Sequence, residues 1–332
     1  MSFPSVSELL AELRVVALPM KAAFRGITVR ETALLRGPNG WAEFAPFTEY
    51  DDAEAAEWLR AAIEQGWGPR GAVGERVRTS IPINATLPAV PVEHVAAVLD
   101  LFGPCRTVKI KVAERGQTLT DDVARVSAAR DYMGAAGRIR IDANGAWNVD
   151  EAEHALRAME RFDLEYVEQP CPSIPELAEL RGRIHRMGIP IAADESVRKA
   201  TDPLAVARSG AADLLVIKCA PLGGVTAALN IIEQAGLPVV VSSALESSVG
   251  LAAGLELAAR IPELQFDCGL ATASLLAGDV TREPLVPVNG AIELRDVVVD
   301  DELCERYAAR AERTEWWSQR ITRVHRELTR PV

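Results

Sequence analysis

Four histidines and five cysteines in 332 residues leave little material for soft-metal chemistry. The cysteines (Cys105, Cys171, Cys219, Cys268, Cys304) are odd in number, scattered and without a C-x-x-C pair. That pattern excludes a disulfide framework or a zinc ribbon and fits reduced thiols used as core filler. No apolar run approaches the roughly 18 to 20 residues of a membrane span, because Asp213, Lys218 and Glu246 interrupt the longest ones. The opening MSFPSVSELLAEL has neither a basic start nor an apolar core. It does not read as a signal peptide, and a cytoplasmic location is expected. Basic charge is also short: 36 Lys and Arg face 47 Asp and Glu, a net charge of -11. Such a field repels phosphate backbones and anionic lipid, so neither nucleic acid nor a membrane is an expected partner.

What is present is a globular composition, 48% hydrophobic and 25% charged with both signs mixed. A chain of this length can bury one large domain with a smaller companion. From about 12 to 47, three strand-like runs are punctuated by Arg25-Gly26 and by Gly37-Pro38-Asn39-Gly40, as in an antiparallel meander. DDAEAAEWLRAAIEQG then predicts a helix with acidic residues in its first turn. Residues 1–78 are expected to form a small α+β unit.

Beyond it, strand and helix signals alternate: IPINATL, TVKIKVA, RIRIDAN, LEYVEQP, IPIAADE, LLVIKCA, LPVVVSSA and LQFDCGL, with amphipathic stretches such as DDVARVSAARDYM between them. Eight such strands predict a closed parallel (β/α) barrel over residues 79–280. The last strand lacks a following helix of the same kind. The tail, residues 281–332, is expected to pack back on the N-terminal unit.

Active sites of such barrels lie at the C-terminal ends of the strands. The polar residues there fall in order: Lys111, Asp142 and Asn144, Glu168, Asp194 and Lys218. Asp142, Glu168 and Asp194 are 26 residues apart in each step, and Lys218 follows 24 later. That is one βα unit per step, so the side chains converge on one mouth. Three carboxylates together repel one another unless a hard dication takes oxygens from all three; Mg2+, or Mn2+ in its place, suits them. On the second strand Val108, Ile110 and Val112 face the helices, which leaves Lys109 and Lys111 pointing inward. Burial and neighbouring cations lower a lysine towards the range of a useful base. A dication flanked by lysines suits proton abstraction next to a carboxylate in a small-molecule substrate.

Other positions stay open. Asp267, at the end of the eighth strand, is either a further ligand or a cap, and Glu195 is equally undecided. SSALESSVG, residues 242–250, either grips an anion through backbone N–H groups or supplies a serine N-cap to a helix starting near Ser247. Residues 15–26 are expected to form a loop over the substrate.

KIK at 109–111, DAN at 142–144, EQP at 168–170, DES at 194–196 and IK at 217–218 resemble the enolase superfamily, in its muconate-lactonising subgroup. The resemblance runs over essentially the whole chain. It implies a modified (β/α)8 barrel of (β/α)7β type under a capping domain, Mg2+ held by Asp142, Glu168 and Asp194, and acid–base lysines Lys111 and Lys218. Within the subgroup, FRGITVRE, GWAEFAPF, RIRIDAN and SSALESSVGL resemble actinobacterial members of the o-succinylbenzoate synthase family. That likeness implies a lyase in which Lys111 removes a proton and helps a hydroxyl leave, Lys218 stabilises the enediolate as a cation, and Lys109 tunes Lys111. Asn144, Arg140, Ser242, Ser243 and Glu246 are the candidate substrate contacts. The subgroup's dipeptide epimerases carry D-x-D near the eighth strand, and FDCGLAT here has one aspartate. Racemisation of N-acylamino acids, which uses a lysine on each face, remains the alternative.

Overall fold

The computed structural model describes residues 3–24, 26–69, 74–199 and 202–330. Helix α1 (Val6–Leu10) leads into three antiparallel strands, β1 (Arg14–Phe24), β2 (Ile27–Gly37) and β3 (Gly40–Phe44), in that order. Ala33, Leu35, Ala42 and Phe44 of this sheet join a core with Leu59, Ala62 and Ile63 of α2 (Asp52–Trp67). Asp51 caps α2 by accepting from the Glu54 amide. The expected loop at 15–26 is instead mostly strand, since β1 pairs with β2 from Arg14 to Phe24. Its alternating apolar residues complete a sheet, and Phe24 at the tip is the residue that reaches the barrel mouth; Arg25 lies outside the described residues.

The barrel runs through β4 (Ser80–Pro82), β5 (Ala85–Leu87), α3 (Val95–Asp100), β6 (Thr107–Lys111), α4 (Leu119–Met133), β7 (Arg138–Asp142), α5 (Val149–Met159), β8 (Leu164–Glu168) and α6 (Ile174–Ile184). It continues through β9 (Ile191–Ala193), α7 (Glu195–Arg198), α8 (Ala205–Arg208), β10 (Leu214–Lys218), α9 (Val225–Ala235), β11 (Val239–Ser242) and α10 (Ser248–Arg260). Strands β5 to β11 make one parallel sheet in chain order. Helices cover its outer face, which explains the near-continuous apolar runs along the strands. Helices α4, α5 and α6 each open with a reciprocal capping box, Thr118 with Asp121, Asn148 with Glu151 and Ser173 with Glu176. Each box ends the loop that follows a strand and so fixes where the mouth begins.

Two expected strands are shorter than their sequences suggest. IPINATL breaks at Ile83–Asn84 because Pro82 has no N–H to donate and the Ile83 amide turns to the Gly290 carbonyl. LQFDCGL contributes only bridges, Cys268 to Ile83 on one side and Gly269 to Ser242 on the other. Those two residues close the ring between β11 and the first strand. In the tail, β12 (Ala291–Glu293) pairs antiparallel with β4. Helix α11 (Asp301–Arg306) follows, and α12 (Ala311–Leu328) packs Trp317, Ile321 and Val324 into the core of the N-terminal unit. All five cysteines are free thiols. Among the described residues no helix is long and apolar enough to cross a membrane.

Candidate active site

Register across the parallel sheet places Lys111 beside Asp142 and Asp142 beside Glu168. Asp194 follows at the end of β9, and Lys218 ends β10. The three carboxylates have no exposed surface, and the three lysines are almost fully buried. Each carboxylate meets a lysine. Lys109 Nζ donates to both oxygens of Glu168 at 2.9 Å, Lys218 Nζ donates to Asp194 Oδ2 at 2.6 Å, and Lys111 Nζ donates to Asp142 Oδ2. Lys109 also lies 3.4 Å from Asp142 Oδ2.

Neighbours decide how these charges behave. Burial lowers Lys111, Asp142 offsets part of that, and Lys109 and Lys218 lower it further. Burial also works against Lys109, but Glu168 and Asp142 overcome it and hold Lys109 above the ordinary lysine range. Asp142 and Asp194 sit below the ordinary carboxylate range although burial opposes this, through Lys111 and Lys109 at the first and Lys218 and Arg198 at the second. Glu168 goes the other way, pushed up by burial and by Asp142 despite Lys109. Lys111 is thus held below the ordinary lysine range while Lys109, two residues away, is held above it.

As packed, no trio of His, Cys, Asp or Glu side chains among the described residues encloses a cation, since the lysines satisfy the carboxylates. The donor set still fits a hard dication. It is all oxygen, and three buried carboxylates meet at successive strand ends.

Ser242, Ser243 and Asn144 line the same small cavity as the three lysines, together with Phe24, Phe47, Thr86, Arg198 and Thr272. Two candidate contacts lie elsewhere. Arg140 shares a face with Asp142 but sits one layer deeper, where it donates to Glu165 Oε2, Asn84 Oδ1 and the Asp267 carbonyl and packs on Tyr166. It fills the barrel interior and does not reach the mouth. Glu246 folds back to accept from the Ala244 amide and lines a separate crevice with Glu43, Trp58 and Gln65. SSALESSVG resolves to an N-cap: Ser247 caps α10, and Ser248 donates to Asp279. Asp267 turns away from the mouth to Arg106 and Thr107.

Sequence reasoning missed Arg198 and Tyr50. Arg198 donates from Nε to Asp194 Oδ1 at 3.1 Å, from Nη2 to Glu195 Oε1 at 2.7 Å and from Nη1 to the Tyr50 hydroxyl at 3.1 Å. Its signal was the helical spacing of four from Asp194; Tyr50, in the segment after β3, had none.

Residues 92–298 match the family model described as enolase C-terminal domain-like, and residues 15–66 match the enolase N-terminal domain-like one. The o-succinylbenzoate synthase of Thermobifida fusca is 54% identical over 292 residues, 87% of this chain and 89% of that one. That of Mycolicibacterium smegmatis is 50% identical over 323 residues, 97% of this chain and 98% of its own. Among solved structures, a muconate lactonizing enzyme of Pseudomonas fluorescens aligns with a TM-score of 0.75 at 22% identity, over 90% of this chain and 98% of that one. The last shows the shared barrel and capping architecture. The chain belongs to the enolase superfamily and, within it, to the o-succinylbenzoate synthase family.

Proposed function

We propose that the protein is an o-succinylbenzoate synthase that dehydrates 2-succinyl-6-hydroxy-2,4-cyclohexadiene-1-carboxylate to 2-succinylbenzoate, a cytoplasmic step of menaquinone biosynthesis. The observation that carries this reading is the pair of lysines, Lys111 and Lys218, brought from different strands to one cavity beside three buried carboxylates. Identities of 54% and 50% to synthases over most of the chain supply the substrate. Superfamily membership brings a divalent metal, and we assign Mg2+ to Asp142, Glu168 and Asp194. When bound, that ion supplies positive charge to the substrate carboxylate as electron density builds there.

The protein's own residues do the rest. Lys111, eased towards neutrality, takes the proton α to the carboxylate. It then returns a proton to the departing 6-hydroxyl, which leaves as water as the ring becomes aromatic. Lys218 faces the developing negative charge as a cation. Lys109, held charged by Glu168, is the like charge that helps keep Lys111 low and is not the base.

The test follows the ultraviolet change on aromatisation of the cyclohexadiene carboxylate, with Mg2+ and with excess EDTA. Turnover is expected with the metal and not with the chelator. In Lys111→Ala, kcat is expected to fall by roughly 100- to 10,000-fold, and unchanged turnover refutes the mechanism. The placement of Lys218 across from Lys111 also suits racemisation. Failure to aromatise the substrate, with deuterium exchanged from solvent into an N-acylamino acid, moves the assignment there.

A further inference from the structure

Lys111 has a second contact besides Asp142. Its Nζ donates to Asn144 Oδ1 at 2.8 Å, and Asn144 Nδ2 donates in turn to Glu195 Oε1 at 3.2 Å. The same Glu195 oxygen accepts from Arg198 Nη2 at 2.7 Å. Asn144 itself is held in the left-handed region at φ 48°, and its amide N–H donates to Asp142 Oδ1 at 3.0 Å.

A side-chain amide is nearly symmetric in shape, so position alone does not decide which end meets the lysine. The partners do. Glu195 Oε1 accepts from Arg198 and from the Asn144 NH2, which turns Asn144 Oδ1 towards Lys111. Arg198 prevents Glu195 from rotating away, and Arg198 is braced on its far side by the Tyr50 hydroxyl. With Asn144 and Asp142 accepting from Nζ on one side, the amine's other side faces the cavity and Phe24, whose ring centroid lies 5.4 Å from Nζ.

We infer that Glu195, clamped by Arg198, is a positioning residue for Lys111 that acts through the Asn144 amide and holds the Lys111 amine facing the substrate cavity. This rests on the reading of Lys111 as the base. Among the described residues Glu195 Oε2 has no partner, so the side chain's hydrogen bonding there is spent on the oxygen that holds Asn144 and Arg198.

The test compares Glu195→Leu, which removes the acceptor, with Glu195→Gln, which keeps an oxygen for both donors. It uses the full-length protein, the cyclohexadiene carboxylate and Mg2+. In Glu195→Leu, kcat is expected to fall roughly 10- to 100-fold, the scale of an ångström-level misplacement, while KM and the Mg2+ affinity measured by calorimetry stay put. Glu195→Gln should recover most of the loss. Asn144→Leu should lose a similar factor, and the double variant Glu195→Leu/Asn144→Leu no more than either alone, because the two residues form one chain. Should Glu195→Leu fail to fold, Glu195→Gln and Asn144→Leu carry the test, with near wild-type kcat in the first and the loss in the second. An unchanged kcat in Glu195→Leu overturns the inference. So does a rise in KM, which marks direct substrate contact, or a loss of Mg2+ affinity that tracks the loss of rate. Lys111→Ala separates the two levels: activity surviving there removes the base assignment, whatever Glu195 does.

Discussion

Lys109 and Lys111 show how two identical side chains, two residues apart on one strand face, come to differ. Lys109 is bidentate on Glu168 and close to Asp142, whereas Lys111 shares Asp142 and ends on a neutral amide. The carboxylate held by Lys109 has no exposed surface. Replacing Lys109 with methionine leaves Glu168 buried and uncompensated, a loss of about 3–5 kcal/mol when one partner of a buried pair is removed. A bound dication offsets much of that loss. Thermal denaturation of Lys109→Met is therefore expected to show a larger deficit in EDTA than in Mg2+, and equal deficits in both would reject Lys109 as the counter-ion of Glu168. At this scale the sequence carried the strand-end residues, because a period of two and a step of one βα unit locate Lys111, Asp142, Glu168, Asp194 and Lys218 without a structure. The family likeness that offered Arg140 as a substrate contact gave its inward face but not its depth along the barrel axis.

Among the elements, the capping unit is fastened to the barrel by capping helix ends. Glu64 on α2 accepts from the Val225 amide at 2.5 Å and the Thr226 amide at 3.0 Å, at the start of α9. A side chain at Gly224, whose φ is 114°, would collide with that carboxylate, so glycine is required there. Glu43 on β3 does the same for α10, accepting from the Ser247 amide at 3.1 Å and the Gly250 amide at 2.9 Å. Burial outweighs the Ser247 donors, and Glu246 adds like charge, so Glu43 is pushed up from 4.5 to about 7. The folded protein keeps this proton where the unfolded chain has released it. Its contribution is fully present below the unfolded pKa and is lost as pH rises through the folded one, by about 3 kcal/mol. Chemical denaturation of Glu43→Gln between about pH 5 and about pH 8 is expected to give a flatter stability profile than the wild type, and an equally steep fall would reject the assignment. None of these fastenings was legible in the sequence, since Glu43 and Glu64 look like ordinary acidic residues until the barrel helices are set against them. The eighth strand was legible as a strand signal but its shortness was not: only Cys268 and Gly269 bridge to their neighbours, while Asp267 turns to Arg106 and Thr107.

For the molecule as a whole, the charges at the mouth cancel while the chain carries -11. Lys109, Lys111 and Lys218 formally match Asp142, Glu168 and Asp194, and with Lys111 neutral as the base a dication still leaves the mouth net positive just where an anionic substrate must enter a negatively charged protein. An ion that binds only the folded state at 100 times its Kd adds about 2.7 kcal/mol, roughly 4 °C for a chain of this size. The reach of that energy can be read by element. Trp58 and Trp317 lie in the core of the capping unit, Trp67 and Trp316 pack against it, and Trp147 packs on the barrel core. Tryptophan fluorescence therefore follows mainly the capping unit, while far-ultraviolet circular dichroism follows the helices of both. Because Tyr50, Glu43 and Glu64 tie the two units together, Mg2+ is expected to raise both melting curves by the same amount, as for one cooperative transition. In Asp142→Asn/Asp194→Asn the shift should vanish from both. A shift that survives the double substitution would place the ion away from the strand ends, and one confined to circular dichroism would mean that the capping unit melts independently of the barrel it covers.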